Sequence, residues 1–268
     1  MSKRGALLFA YNTTKFDYYA MAEYTAKRIN HFLDIPVSIV TSPESVPNIG
    51  TYKFDQVLNA TPDKSNHFRD TIWFNKGRYK AFELSPYDET LLIDVDYMVN
   101  SDRLLQVFDH MDDFACHEST AFMMVPKSTS EVLGPNGYKS LWATVIGFKK
   151  TNKAKQLFDC MKMIQLNYEH YANIHGFASE IYRNDFSLTL AHRIINGHYD
   201  YRREILPWNL MHIGLKTKVY ANTNNQFNTE YTVIYDQWKN SKIKKEYNII
   251  KDIDFHIINK EIFEALMK

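Results

Sequence analysis

Asp88-Glu89-Thr90-Leu91-Leu92-Ile93-Asp94-Val95-Asp96-Tyr97-Met98-Val99 is the stretch that decides the fold class of this chain. Thr90 to Ile93 is an uninterrupted apolar run of strand length, and a strand apolar at successive positions must be covered on both faces. Such a strand belongs in the middle of a parallel sheet between helices, where ligands gather beyond the carboxyl ends of the strands. Asp94 and Asp96 stand at that end. Residues two apart in an extended chain lean to one side, so the pair offers a hard cation two carboxylates. Mg²⁺ or Mn²⁺ binds in this way, through one or two carboxylates plus waters and substrate phosphates. The same tripeptide elsewhere reads as two solvated acids; its place behind a buried strand gives it weight.

Working outward, the chain alternates element types. Ala6 to Tyr11 reads as a strand, Ala22, Ala26, Ile29 and Leu33 as a helical stripe, and Val37 to Val40 as a second strand. A short strand at Gln56 to Leu58 and a helix from about Asn75 to Leu84, stopped by Pro86, lead into the acidic stretch. Beyond it, Ser101 can cap a helix through Phe108, and Pro126 to Tyr138 reads as an irregular loop. Ala143 to Phe148 is a buried strand, and Ala154, Leu157, Phe158, Met161, Ile164 and Tyr168 form a core stripe on a helix. A helix over Phe186 to Ile195, closed by Asn196-Gly197, precedes weak strands near Thr217 to Tyr220 and Tyr231 to Tyr235. The sum is an α/β, Rossmann-like fold: a mixed, mostly parallel central sheet flanked by helices. One domain over residues 1–268 is expected, with no internal repeat or linker.

The 268 residues are 45% hydrophobic and 24% charged, which suits a globular chain and argues against disorder. No apolar run is long enough for a bilayer crossing. The basic-then-apolar start, Met1 to Tyr11, reads as a first strand rather than a signal peptide. Two distant cysteines, Cys116 and Cys160, fit a reducing compartment, so a cytoplasmic location is expected. A net charge of +1 gives no global attraction to nucleic acid; Arg202-Arg203 and Lys242 to Lys245 are read as solvated basic faces. The chain has no Walker lysine loop, dinucleotide glycine fingerprint, nucleophile elbow or zinc-spaced Cys/His cluster.

At Asp94-Val95-Asp96 the chain resembles the GT-A glycosyltransferases, especially the glycogenin-like family, in which a hydrophobic strand ends in an Asp-x-Asp metal motif. Lys76-Gly77-Arg78-Tyr79-Lys80-Ala81-Phe82-Glu83-Leu84 occupies the place of that family's basic nucleotide-binding helix. Leu141 to Phe148 is similar to its acceptor-side strand, Arg183-Asn184-Asp185-Phe186-Ser187 to its polar segment near the anomeric carbon, and Leu206-Pro207-Trp208-Asn209 to its turn before the closing segment. The resemblance implies a GT-A fold with a nucleotide-binding half over about 1–100 and an acceptor-side half over about 101–268. It implies Asp96 as the direct metal ligand and Asp94 on metal or ribose. The family's third ligand, a histidine followed by a diphosphate-binding lysine, matches His256 and Lys260 in Asp254-Phe255-His256-Ile257-Ile258-Asn259-Lys260, although the family's lysine lies further on beside Gly and Pro-Trp. His212, in Met211-His212-Ile213-Gly214-Leu215-Lys216, competes with His256 for that place.

Tyr11, Asn12, Thr13, Lys76, Arg78 and Val95 are expected to flank the nucleotide, and Trp142, Asn184, Trp208 and Asn209 the sugar and acceptor. Asp185 is the candidate general base if the reaction inverts, and positions the sugar if it retains. Mn²⁺ or Mg²⁺ is the implied cofactor and a nucleotide sugar, UDP-linked first, the donor. A texture rich in Lys, Asn, Tyr and Phe is similar to that of bacteriophage-encoded members, which brings a modified DNA base in the host cytoplasm among the acceptors. Two rivals remain. A haloacid-dehalogenase-like phosphohydrolase would use Asp94 as nucleophile and Asp96 as acid, but its motif sits near the chain start and disfavours a residue such as Met98. A non-enzymatic carbohydrate- or nucleic-acid-binding module would use Arg202-Arg203 and Lys242 to Lys245, and metal removal would leave it unchanged. A sugar nucleotidyltransferase is excluded, since Tyr11 to Asp17 contains no glycine.

Overall fold

In the computed structural model the described residues are 3–47, 50–68, 71–74, 76–122, 125–129, 131–135, 137–177, 181–199, 201–239 and 242–268. Strand β1 (Arg4–Phe9) runs into helix α1 (Tyr18–Leu33), then β2 (Val37–Thr41), β3 (Val57–Asn59) and β4 (Glu89–Ile93). After β5 (Tyr97–Met98) come β6 (Phe114–His117), β7 (Thr120–Phe122) and β8 (Trp142–Lys149). Helices α2 (Asn152–Leu166) and α3 (Asn184–Ile195) follow, and then β9 (Leu210–Ile213), β10 (Phe255–Ile257) and helix α4 (Lys260–Leu266). The central sheet has the order β3-β2-β1-β4-β8-β6. Its first four strands are parallel, β8 is antiparallel to β4, and β6 is antiparallel to β8. The mixed, mostly parallel sheet between helices expected from the sequence is the fold observed.

The apolar run of β4 explains this placement. Leu91 and Ile93 belong to the core cluster shared with α1, and Leu92 to the cluster shared with Phe148, Leu157 and Leu188 on the other side. Both faces of β4 are therefore out of water, as a strand with no polar face requires. Asp17 caps α1 by accepting a hydrogen bond from Ala20 N at 2.9 Å, and Thr151 caps α2 by accepting one from Ala154 N at 3.3 Å. Gly147 on β8 is a close-approach position: a Cβ there would lie 2.4 Å from Val107 Cγ1, so only glycine lets helix Leu105–His110 rest on that strand.

A second sheet stands at the carboxyl edge of β4, in the order Val125–Thr129, β7, β9, β10, β5. A third, outer sheet joins Lys218–Ala221, Glu230–Lys239 and Lys242–Lys251. Lys242 to Lys245 are exposed, as a solvated basic face requires, but they open a strand not expected from the sequence, Lys242–Lys251, paired throughout with Glu230–Lys239. Its alternation is hidden by exposed apolar residues, with Ile243 at 64% and Tyr247 at 68% exposure. The helix expected from 75 is only a 3-10 turn, Arg78–Lys80, and the four residues Ala81–Leu84, with residue 75 outside the described residues. Ser101 does not cap a helix: its hydroxyl donates to Asp254 Oδ1 at 3.0 Å, and the helix begins at Leu105. The stretch expected as a loop over 126–138 includes strand Val125–Thr129, and Val132–Leu133 pairs with Tyr138–Lys139; residues 130 and 136 lie outside the described residues. The stripe expected to reach Tyr168 breaks at Asn167, and Tyr168–His175 is a separate helix. Among the described residues no helix is long and apolar enough to cross a membrane.

Candidate metal centre

Asp94-Val95-Asp96 leaves β4 as a turn, which corrects the extended geometry expected for it. Tyr97 N donates to Asp94 O at 3.1 Å and closes the turn; Asp94 N donates to Thr144 O of β8 at 2.9 Å. Asp96 O accepts from Ile257 N at 3.0 Å and Val95 O from Thr25 Oγ1 at 2.6 Å, so β8, β10 and α1 each hold one residue of the turn. The Val95 side chain, expected beside the nucleotide, is buried in the core instead.

The turn and β10 bring Asp94, Asp96 and His256 together, with one ligand atom of each within 4.8 Å of the others. His256 Nε2 lies 3.2 Å from Asp96 Oδ2, and His256 Nδ1 lies 3.0 Å from His212 Nδ1. Burial pushes the His256 imidazole below its ordinary value, with Asp94 opposing, and burial pushes that of His212 down to about 3. Both rings are neutral at physiological pH, the form in which imidazole ligates a metal. Two carboxylates and a neutral imidazole make an O,O,N set that fits Mn²⁺ or Mg²⁺ completed by waters and phosphate oxygens.

Two cations balance the acids. Lys260, the first residue of α4, sets its ammonium on Asp96 Oδ2, and Asn259 caps that helix by accepting from Glu261 N at 3.0 Å. Burial pushes Lys260 down to about 8, with Asp94 pulling the other way. Arg78 is buried, sets Nη1 on Asp94 Oδ1, and donates from Nη2 to Ala143 O at 2.7 Å. The arginine expected on the nucleotide is thus bound to the first acid.

The remaining predicted residues divide. Lys76 turns away from the acids: its ammonium donates to Ser65 Oγ at 2.8 Å and, with Tyr11, Thr61, Asp63 and Gln165, it lines a narrow cleft of about 60 Å³. Tyr11 is buried, its phenol pushed up to about 12 by burial. Asn12 Oδ1 accepts from Tyr19 N at 2.8 Å and Thr13 Oγ1 from Phe16 N at 3.0 Å, so both side chains shape the turn before α1. On the other side, the Trp142 ring lies 4.8 Å from that of His212. Asp185, in the first turn of α3, accepts from Ala143 N at 2.9 Å through Oδ1 and pairs with Arg183 Nη2 at 2.9 Å through Oδ2. Asn184 is buried and accepts from the Tyr182 hydroxyl at 3.2 Å. Trp208 packs with Arg103, 5.2 Å above its ring, and with His117 at 6.3 Å; Asn209 Oδ1 accepts from Ser119 Oγ at 2.5 Å.

Sequence reasoning missed two features. His212 is the direct neighbour of His256, not a substitute for it, because β9 and β10 run parallel with His212 opposite His256. His117 is fully buried and opposite Trp142 in the β6–β8 pairing, and among the described residues neither of its ring nitrogens has a hydrogen-bond partner.

No family of known proteins matches the chain by sequence pattern, and no curated protein matches it by sequence. Among solved structures it is similar to the glycosyltransferase GlyE of Streptococcus pneumoniae TIGR4, with 14% identity over 73% of this chain and a TM-score of 0.43. The chain spans 43% of the length of that protein. It is similar as well to the galactosyltransferase LgtC in complex with donor and acceptor sugar analogues, with 12% identity over 69% of each chain and a TM-score of 0.46. At such distances neither likeness assigns a residue or a substrate, and the chemistry of the site rests on the chain's own geometry.

Proposed function

We propose that this chain is a metal-dependent glycosyltransferase that moves a sugar from a nucleoside-diphosphate donor to an acceptor hydroxyl. The observation that carries the reading is the Asp94, Asp96 and His256 cluster at the carboxyl end of β4, ligand atoms within 4.8 Å, with Lys260 and Arg78 beside it. When bound, a divalent cation supplies Lewis-acid stabilisation of the diphosphate leaving group, whose charge grows as the glycosidic bond breaks. Asp96 and His256 would hold the ion, and Asp94 would complete the set or take the ribose. Arg78, itself fixed by Ala143 O, keeps the Asp94 carboxylate aimed at the site. Lys260, whose ammonium sits on Asp96 Oδ2, would neutralise phosphate.

Residues 1–100 supply the nucleotide half, and the later part of the chain supplies the acceptor side, with Trp142 and Asp185 toward the sugar. Both Asp185 oxygens already serve Ala143 and Arg183, which favours a positioning role and a retaining reaction over general-base catalysis. The donor class is a UDP-sugar. The acceptor is a hydroxyl compound of the cytoplasm, a modified DNA base being one candidate for a bacteriophage-borne chain. The phosphohydrolase alternative lacks support, because its nucleophile would be the Asp94 carboxylate that Arg78 holds.

The test is a thermal-shift panel of nucleotides and nucleotide sugars with and without Mn²⁺. A ligand of the folded state at a hundred times its dissociation constant adds about 2.7 kcal/mol, so UDP or a UDP-sugar should raise the melting temperature only with the ion present. Asp96→Asn should abolish that rise and leave the unliganded melt cooperative. A wild-type chain indifferent to every nucleotide in the presence of Mn²⁺ would sink the reading.

A further inference from the structure

We infer that His212 is a positioning residue for the metal site: it dictates which nitrogen of His256 carries the proton, and ion binding reverses the polarity of the hydrogen bond between the two rings. The inference rests on the reading that Asp94, Asp96 and His256 hold a divalent cation.

The Nδ1 atoms of His256 and His212 face each other at 3.0 Å, both on buried strands, and a contact that short between two neutral imidazoles holds one proton. His256 Nε2 lies 3.2 Å from the Asp96 carboxylate, an acceptor, so in this arrangement that nitrogen carries hydrogen. His256 Nδ1 is then a lone pair and accepts from His212 Nδ1–H, and His212 Nε2 is bare. An ion at the cluster would need the lone pair of His256 Nε2, so that nitrogen gives up its proton and the neutral ring takes the shared proton on Nδ1 instead. His256 now donates to His212 Nδ1, and His212 carries its own proton on Nε2. The count balances: each ring holds one proton before and after, the proton lost from His256 Nε2 is matched by the one gained at His212 Nε2, and the shared proton changes owner.

The surroundings leave His212 free to make this change. Its ring packs on Trp142 at 4.8 Å, Phe122 at 5.8 Å and His256 at 5.1 Å, and none of these fixes its tautomer from the far side. Among the described residues His212 Nε2 has no hydrogen-bond partner although it is buried. A buried polar atom without a partner requires an explanation, and an atom that must alternate between lone pair and N–H is poorly served by a fixed partner. With the ion bound, the site thus gains a donor at His212 Nε2, beside Trp142.

The experiment uses the full chain with ¹⁵N-labelled histidine, and nitrogen spectra that separate N–H from lone-pair imidazole nitrogens, with His212→Asn and His256→Asn spectra for assignment. Addition of Mg²⁺, which is diamagnetic, should move the His212 proton from Nδ1 to Nε2. In parallel, Mn²⁺ binding is titrated by electron paramagnetic resonance in wild type, His212→Phe and His212→Asn. Loss of an outer partner of a metal-bound histidine costs about ten- to a hundredfold in metal affinity. His212→Phe should show that loss, and His212→Asn, whose amide oxygen can accept from His256 Nδ1–H, should recover most of it. An unchanged His212 tautomer on Mg²⁺ binding, or wild-type Mn²⁺ affinity in His212→Phe, overturns the role of His212 and leaves the cation site standing. A wild-type chain that binds no Mn²⁺ overturns both.

Discussion

Replacing Lys260 by Met should move two affinities in opposite directions. The Lys260 ammonium sits on Asp96 Oδ2, with only 22% of its side chain exposed. Two unit charges roughly 4 Å apart at an effective dielectric of about 20 interact with about 4 kcal/mol. Lys260 still reaches solvent while Asp96 is 6% exposed, so screening at the wet edge leaves about half of that figure, ~2 kcal/mol. An ion entering alone must displace this ammonium from the carboxylate. Lys260→Met removes the competitor and keeps the apolar stem, so Mn²⁺ alone should bind about ten- to thirtyfold more tightly. The diphosphate, in contrast, loses a hydrogen bond between charged groups, about 1.5–3 kcal/mol, and UDP should bind Mn²⁺-saturated protein about ten- to a hundredfold more weakly. Isothermal titration of Mn²⁺ into the free protein, then of UDP into the Mn²⁺-loaded protein, reads both. If Mn²⁺ affinity falls, or UDP affinity is unchanged, Lys260 does not shuttle between carboxylate and phosphate.

Two further outcomes follow from buried groups. Arg78→Ala strands Asp94 and the Ala143 carbonyl, and removal of one partner of a buried pair costs about 3 kcal/mol at the lower end of its range; calorimetry should show a melting temperature several degrees lower, and Arg78→Lys should not restore it because one ammonium cannot span both partners. Burial holds the folded-state His117 at about 3 against an ordinary 6.5, so its neutral ring contributes stability that is complete above about pH 6.5 and lost as pH falls toward 3. Urea unfolding at pH 7 and 4.5 should show wild type losing about 3 kcal/mol more than His117→Phe over that interval; equal losses would refute the assignment of acid sensitivity to this ring.

Strand β4 and its acids were legible because burial on both faces leaves a mark in sequence that no single-faced strand leaves. The expectation that Asp94 and Asp96 lean together came from extended geometry, whereas the chain achieves it with a turn held by Thr144, Thr25 and Ile257. His256 and His212 looked like alternatives because sequence gives no register between strands 44 residues apart, and register is what sets them ring to ring. Arg78 was recognisable as basic and near the site, but its partner depends on where β8 lays the Ala143 carbonyl. Lys242–Lys251 escaped because a strand with exposed Ile243, Tyr247 and Ile249 shows no clean alternation of polar and apolar residues.

The order of these pieces along the chain has a consequence for biogenesis. All six strands of the central sheet are complete by Lys149, whereas His256 and Lys260 come only with β10 and α4. The strands of the scaffold therefore leave the ribosome before His256 and Lys260, the proposed third ligand and the cation beside Asp96, which follow together. Until then Asp94 and Asp96 stand without the imidazole and the ammonium that the folded chain sets beside them.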